Sequence, residues 1–89
     1  MIGKYRDILD RCMARMEMGE KKYGKYDPSS DTRDLLKETS EELLDAINYL
    51  HMHSIKVNSN KFDRLISTLC DSIFFLEGED NMEVNKQHG

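Results

Sequence analysis

The chain has no tryptophan, a single proline and only two cysteines among its 89 residues. Cys12 and Cys70 stand far apart and neither belongs to a C-x-x-C pair, so the sequence offers neither a disulfide framework nor a cysteine zinc site. No apolar run approaches the roughly 18 residues that a membrane span requires, and the first residues do not form the apolar segment of a secretory signal. We therefore expect a cytoplasmic protein that does not enter a membrane.

Other classes of site are also missing from the sequence. There is no glycine-rich phosphate-binding loop, and no serine or cysteine is placed with a histidine as a nucleophile would be. The formal net charge is −4, whereas proteins that bind duplex nucleic acid normally present a basic surface. We therefore expect no duplex nucleic acid partner.

Apolar residues recur with helical spacing in three segments, at about residues 2–24, 31–56 and 61–77. Turn-forming sequences rich in glycine, proline, serine and asparagine separate these segments. No segment alternates apolar and polar residues as a strand does. The chain is therefore predicted to be all-α, a small antiparallel bundle of three main helices. Phe74 and Phe75 fall outside the main apolar stripe of the third helix, which indicates contact with more than one neighbour.

The predicted bundle forms a single domain over residues 1–77, and the polar residues 78–89 are expected to be a disordered tail. Ser30 or Asp31 is the predicted N-cap of the second helix. Hydrophobic residues make up 38% of the chain, so a domain of this size would have a thin core. We therefore expect the bundle to be completed by assembly into a homodimer or homotetramer.

The second predicted helix carries many carboxylates and few basic residues among them. Glu38, Glu41, Glu42 and Asp45 fall within about 100° of arc, on the face opposite the apolar stripe. Like charges at this spacing destabilise a helix by about 0.2–0.5 kcal/mol per pair. Both a plain solvated face and a face that binds a cation account for the arrangement, and the spacing alone leaves both open.

The first predicted helix has its own acid pair, Glu17 and Glu20. Glu20 falls at the edge of the apolar arc, where an unpaired carboxylate is unfavourable. Two antiparallel helices could bring this pair opposite Glu42 and Asp45, and a divalent cation would relieve the resulting repulsion. Mg²⁺ prefers carboxylate oxygens and commonly shares its remaining positions with phosphates. The residues therefore predict Mg²⁺ as a cofactor held by these four side chains.

The two acid pairs resemble the motif of the MazG-like all-α nucleoside triphosphate pyrophosphohydrolases. That motif is an acid pair on one helix and a second acid pair on the next, and here 21 residues separate Glu20 from Glu42. The resemblance extends over about residues 15–52 and includes small phage and bacterial members of the superfamily. The stretches that carry it are EELLDAINYL at 41–50, which is similar to the EELxDxxxYL run of the superfamily, GEKKYG at 19–24 and DTRDLLKE at 31–38.

The resemblance implies an Mg²⁺-dependent enzyme that hydrolyses a nucleoside triphosphate, ribo or deoxy, to the monophosphate and pyrophosphate. It also implies that Glu38 or Glu41 acts as accessory metal ligand or as base for the attacking water. A non-catalytic relative that binds nucleotide or metal, or serves as a regulatory or interaction module, is the alternative. The residues expected to contact substrate are Lys21, Lys22 and Arg33 at the phosphates, and Tyr23, Asn48 and Tyr49 at the base.

Overall fold

A computed structural model describes the backbone of residues 2–88 and the side chains of residues 3–79. It contains three helices, which are α1 (Ile2–Tyr23), α2 (Leu35–Val57) and α3 (Asp63–His88), and no strand within the described backbone. The prediction of an all-α chain with three main helices is confirmed.

The helix bounds differ from the predicted ones at two places. The helix α2 begins at Leu35 with Asp34 as its N-cap, since the Asp34 carboxylate accepts a hydrogen bond from the backbone N–H of Lys37 at 3.0 Å. The predicted cap at Ser30 or Asp31 is therefore wrong. The helical backbone of α3 continues to His88, past the predicted end at residue 77. Most side chains of the predicted tail, 78–89, lie outside the described residues, and its disorder in solution stays a prediction.

Contacts divide the chain into two compact units, Met1–Thr32 and Arg33–Gly89. The first unit consists of α1 and the loop after it. Gly24 ends α1 with a positive φ of 92°, and its N–H donates to the carbonyl of Glu20 at 2.8 Å. A left-handed residue at this position suits glycine, which has no Cβ to clash with the backbone.

The loop after α1 is ordered by its own polar side chains, and this explains the late start of α2. Asp27 accepts hydrogen bonds from the hydroxyl and the backbone N–H of Ser29, at 2.7 and 3.0 Å. These bonds favour the ionised carboxylate and hold the pKa of Asp27 below its ordinary value. The hydroxyl of Tyr26 donates to Asp31 at 3.0 Å. Asp31 is therefore engaged within the loop and does not cap the helix.

The second unit is an antiparallel hairpin of α2 and α3. The turn between them begins at Asn58, which has a left-handed φ of 52°. The backbone N–H groups of Asn58 and Ser59 donate to the carbonyls of Ile55 and Ser54, and these bonds close the end of α2. The apolar stripes of the two helices face each other and are half-buried; their members include Leu36, Leu43, Ile47 and Leu50 on α2 and Phe62, Ile66, Leu69, Ile73 and Leu76 on or just before α3.

Burial is shallow throughout the described side chains. None of them is buried, whether apolar, polar or charged. Over the same residues, none of the three helices combines the length and the apolar composition that a bilayer span requires. Because no described side chain is buried, the helices have large apolar surfaces that other parts of the same unit do not cover.

Candidate metal and nucleotide site

Three carboxylates lie in a row along α2, and we call this row the acidic ridge: Glu38, Glu42 and Asp45. Their spacing of four and then three residues places them within about 60° of arc. All three side chains are exposed, while the half-buried residues of α2 that face α3 lie on the opposite side of the helix. The predicted acidic face therefore exists as a continuous exposed surface that α3 leaves open.

The acidic ridge continues into apolar surface toward the C-terminal end of α2. Tyr49 and Met52 follow Asp45 along the same line, and they are 71% and 60% exposed. Asn48, the third residue predicted to contact a base, is exposed beside them. An exposed tyrosine and methionine next to carboxylates form a surface suited to a ligand that has both an aromatic and an anionic part, provided that a cation bridges the charges.

Glu38 has a cationic neighbour that the sequence analysis missed. The guanidinium of Arg33 lies 3.9 Å from the Glu38 carboxylate, and both side chains are about half exposed. An exposed pair at this distance contributes at most about 1 kcal/mol. The sequence feature that could have predicted this contact is the position of Arg33 directly before the N-cap residue Asp34. From there the Arg33 side chain can fold back over the first turn of α2. The structure thus brings together a predicted phosphate contact and a predicted accessory carboxylate.

Glu41 has different surroundings from the acidic ridge. It lines a shallow groove of about 220 Å³ between α2 and α3, together with apolar and polar side chains from both helices. Leu44 and Leu76 form its apolar wall. The two candidates for the water base are therefore distinguished by position, since Glu38 lies on the ridge and Glu41 lies at the hairpin groove.

The acid pair of α1 lies at the edge of the apolar face of its helix. Glu17 and Glu20 line a depression of about 210 Å³ together with Met13 and Met16. Glu20 is half-buried, whereas Glu17 is exposed. A helix packed on this face would enclose the carboxylates along with the methionines, so such packing would require a partner for their charge.

The predicted phosphate contacts near the end of α1 form a small basic cluster. Lys21 and Lys22 occupy the last turn of the helix, where positive charge is favourable to the helix dipole. The ammonium group of Lys22 lies 5.3 Å from the centre of the Tyr23 ring, within the range of a cation–π contact. Tyr23 is 80% exposed. All three residues are therefore available at the surface of the first unit.

The four predicted metal ligands fall two in each unit, with Glu17 and Glu20 in the first and Glu42 and Asp45 in the second. Among the described residues, no group of three or more His, Cys, Asp or Glu side chains is close enough to hold a metal ion. Mg²⁺, however, can be bound in proteins by only one or two carboxylates when phosphates and waters complete its shell. The donor chemistry of each acid pair therefore fits Mg²⁺, and the four-ligand site stays a prediction.

Of the two histidines of α2, one packs against an aromatic ring and the other lines an open cavity. The His53 ring meets the Phe62 ring edge-on, with centroids 5.5 Å apart. His51 lines an open cavity of about 640 Å³ at the turn between α2 and α3.

Comparisons with family models, with curated proteins and with solved structures return no match.

Proposed function

We propose that the protein is an Mg²⁺-dependent nucleotide pyrophosphohydrolase that converts a nucleoside triphosphate to the monophosphate and pyrophosphate. The observation that carries the proposal is the acidic ridge of α2, with three exposed carboxylates on a face that α3 leaves open. These residues also lie within the segment that resembles the MazG-like enzymes. An acidic ridge that continues into Tyr49 offers one surface for a metal–triphosphate group and for a base.

The metal ligands in this proposal are Glu42 and Asp45 on α2 and Glu17 and Glu20 on α1. Glu20 supports the assignment because it is half-buried on an otherwise apolar face, where a bound dication would compensate its charge. Mg²⁺ bound by these groups would neutralise the triphosphate and lower the pKa of a coordinated water. The assignment does not depend on whether α1 and α2 come from one chain or from two copies.

The remaining roles in this proposal are those of the base and of the substrate contacts. Glu38 is the better candidate for the base, because it lies on the ridge whereas Glu41 lines the hairpin groove. Glu38 accepts a proton from the water as the water attacks the α-phosphorus. The bond from that phosphorus to the oxygen that bridges it to the β-phosphorus then breaks, and pyrophosphate leaves. Arg33, 3.9 Å from Glu38, can bind the phosphates as substrate enters. In this proposal Lys21 and Lys22 add positive charge for the same purpose, and Tyr23, Asn48 and Tyr49 contact the base.

The active form in this proposal is a homodimer or homotetramer. The support is the shallow burial, since no described side chain of this chain is buried. A small domain without a buried core gains stability by covering its apolar surface with another copy. Cytoplasmic localisation belongs to the same proposal, because the cytoplasm supplies both nucleoside triphosphates and Mg²⁺.

The test is a screen of the purified full chain with Mg²⁺ against all ribo- and deoxynucleoside triphosphates, with pyrophosphate release as the readout. Removing a metal ligand should reduce turnover by about a hundredfold or more, since each ligand positions the metal that stabilises the transition state. We expect this loss for Glu42→Gln and Glu20→Gln. The matched control is Asp7→Asn, an exposed acid on the opposite side of α1, which should retain full activity. Absence of release with every substrate, or release unchanged in Glu42→Gln, contradicts the enzymatic proposal.

A non-catalytic nucleotide-binding protein is the second candidate, and the Arg33–Glu38 contact favours it. A general base must be free to come within hydrogen-bond reach of the attacking water, and the nearby guanidinium competes with that water for the Glu38 oxygens. Calorimetry with a nucleoside triphosphate and Mg²⁺ separates the two candidates. Binding without pyrophosphate release supports the non-catalytic protein, and binding with release supports the enzyme.

A further inference from the structure

The side of α3 that faces away from α2 has a composition unlike an ordinary solvated surface, and we call it the outer face of α3. Measured from Asp71, its members span about 100° of arc. Every member is exposed, and the rings of Phe74 and Phe75 are 75% and 67% exposed. The members of the outer face are Arg64, Ser67, Asp71, Phe74, Phe75 and Gly78.

We propose that the outer face of α3 is the contact surface of a symmetric homodimer, in which α3 packs antiparallel against α3 of a second copy. The inference rests on the proposed homo-oligomer and names its contact surface. This surface does not include the acidic ridge, which lies on the side of α2 that is turned away from α3. The charges, the shape and the area of the outer face all point to a second copy of this chain as the occupant.

The charges of the outer face are self-complementary. Arg64 and Asp71 are two turns apart and within about 20° of each other around the helix. Neither makes an ion pair among the described residues. A two-fold axis near Ser67 and Thr68 places Arg64 of each copy opposite the partner's Asp71, so one interface contains the same ion pair twice. The small side chain of Ser67 lies at the crossing point, where it allows the two helices to approach closely.

The shapes match in the same register. In this antiparallel arrangement Phe74 lies opposite the beginning of the partner's α3, on the flank that contains Asp63. The open cavity of about 640 Å³ at the turn is lined there by Asn60 and Asp63, and Ile55 provides its apolar wall. Ile55 is 67% exposed. A phenylalanine ring from each copy therefore has a recess on the other copy in which to pack.

The area is adequate for a weak to moderate dimer. A phenylalanine buries about 150–250 Å², so the exposed fractions of Phe74 and Phe75 in two copies amount to roughly 400–700 Å² of aromatic surface. Standard interfaces bury about 1,600 Å² in total. The aromatic rings thus supply about a third of such an interface, and polar parts of α3 and the turn supply the rest.

The experiment is sedimentation equilibrium of the full chain across a range of concentrations, with charge reversal at the symmetric contact. Arg64→Glu alone and Asp71→Arg alone each create two like-charge contacts, so each should raise the dimer Kd roughly 5- to 30-fold. Mixing the two variants should restore dimers, because in the heterodimer each of the two contacts again joins an acid to a base. Failure of the mixture to recover wild-type affinity overturns the proposed register.

A second pair of variants tests the aromatic contribution without unfolding the hairpin. Phe74→Ser and Phe75→Ser remove exposed rings, so the hairpin should keep its helical circular dichroism while the dimer Kd rises tenfold or more. The control is Glu42→Gln, which should lose activity and retain the dimer, and this separates failure of the interface from failure of the enzyme. A wild-type chain that stays monomeric at about 100 µM, or variants that lower Tm without changing mass, overturns the proposal.

Discussion

The helix α1 and the α2–α3 hairpin carry apolar stripes of the same kind, yet their stripes have different surroundings. Leu9 and Met16 on α1 are 62% and 56% exposed, whereas Leu43, Ile47 and Leu69 in the hairpin are half-buried. Both stripes follow the helical period, so periodicity predicts each helix and its apolar face. Periodicity does not predict which helix covers a stripe. For α2 and α3 the short turn between them determines this, because it forces the two helices to lie side by side.

The largest expected effect comes from the same substitution made in both regions. Leu69→Ala should lower the free energy of unfolding by about 2 kcal/mol, since it removes contacts between α2 and α3. Leu9→Ala should cost no more than about 0.5 kcal/mol when the protein is free of Mg²⁺ and nucleotide, because Leu9 is largely exposed. Urea denaturation followed by circular dichroism measures both.

The same comparison can be sharpened with ligand. Adding Mg²⁺ and a nucleoside triphosphate should increase the cost of Leu9→Ala, because the proposed site requires the apolar face of α1 to be covered. Equal costs for the two variants in ligand-free protein would show that α1 is already packed as tightly as the hairpin.

The next effect concerns the two helix ends that adopt left-handed backbone, Gly24 and Asn58. Gly24→Ala should cost about 1 kcal/mol, because it adds a Cβ that clashes with the left-handed backbone. Asn58→Ala should also cost about 1 kcal/mol, because alanine lacks the short polar side chain that lets asparagine adopt this conformation. For Asn58→Ala the cost should appear in global unfolding, since the turn joins α2 to α3. For Gly24→Ala it should appear as faster hydrogen exchange at the end of α1, with little change in global unfolding.

A smaller effect tests the acidic ridge. Asp45→Asn in the absence of Mg²⁺ should raise the free energy of unfolding by about 0.2–0.5 kcal/mol, because it removes repulsion between neighbouring carboxylates on α2. With millimolar Mg²⁺ the sign should reverse, since the wild-type protein gains stability from the bound cation and the variant gains less. A gain that is the same with and without Mg²⁺ would favour a plain solvated face.

The smallest effect is confined to the loop after α1. The hydroxyl and N–H of Ser29 hold the pKa of Asp27 below its ordinary value. A lowered folded-state pKa means that the loop is stabilised above the ordinary pKa of an aspartate and loses that stabilisation as pH falls through the folded pKa. Ser29→Ala should therefore raise the pKa of Asp27, as an NMR titration of the carboxyl group would show. Ser30→Ala should raise it less.

Sequence patterns predicted the fold class and the approximate positions of all three helices, because each has an apolar stripe with helical spacing. They missed the start of α2, since Asp31 and Asp34 are equally good caps by residue type. The hydrogen bond from Tyr26 to Asp31 decides between them, and such a contact depends on the loop conformation. The extension of α3 beyond residue 77 was missed because its polar residues lack a stripe.

The candidate site was predictable only in part. The exposed carboxylates of α2 follow directly from the spacing of Glu38, Glu42 and Asp45. The different surroundings of Glu38 and Glu41 did not follow, because they depend on how Leu44 and Leu76 line the hairpin groove. The four-carboxylate Mg²⁺ site also stays a prediction, since its ligands belong to two separate units.

The short turn at Asn58 has a consequence for the order of folding. Residues that meet across α2 and α3 are close in sequence near the turn, so the chain entropy lost in forming the first contacts is small. We expect the α2–α3 hairpin to form from this end first, on a microsecond to millisecond timescale.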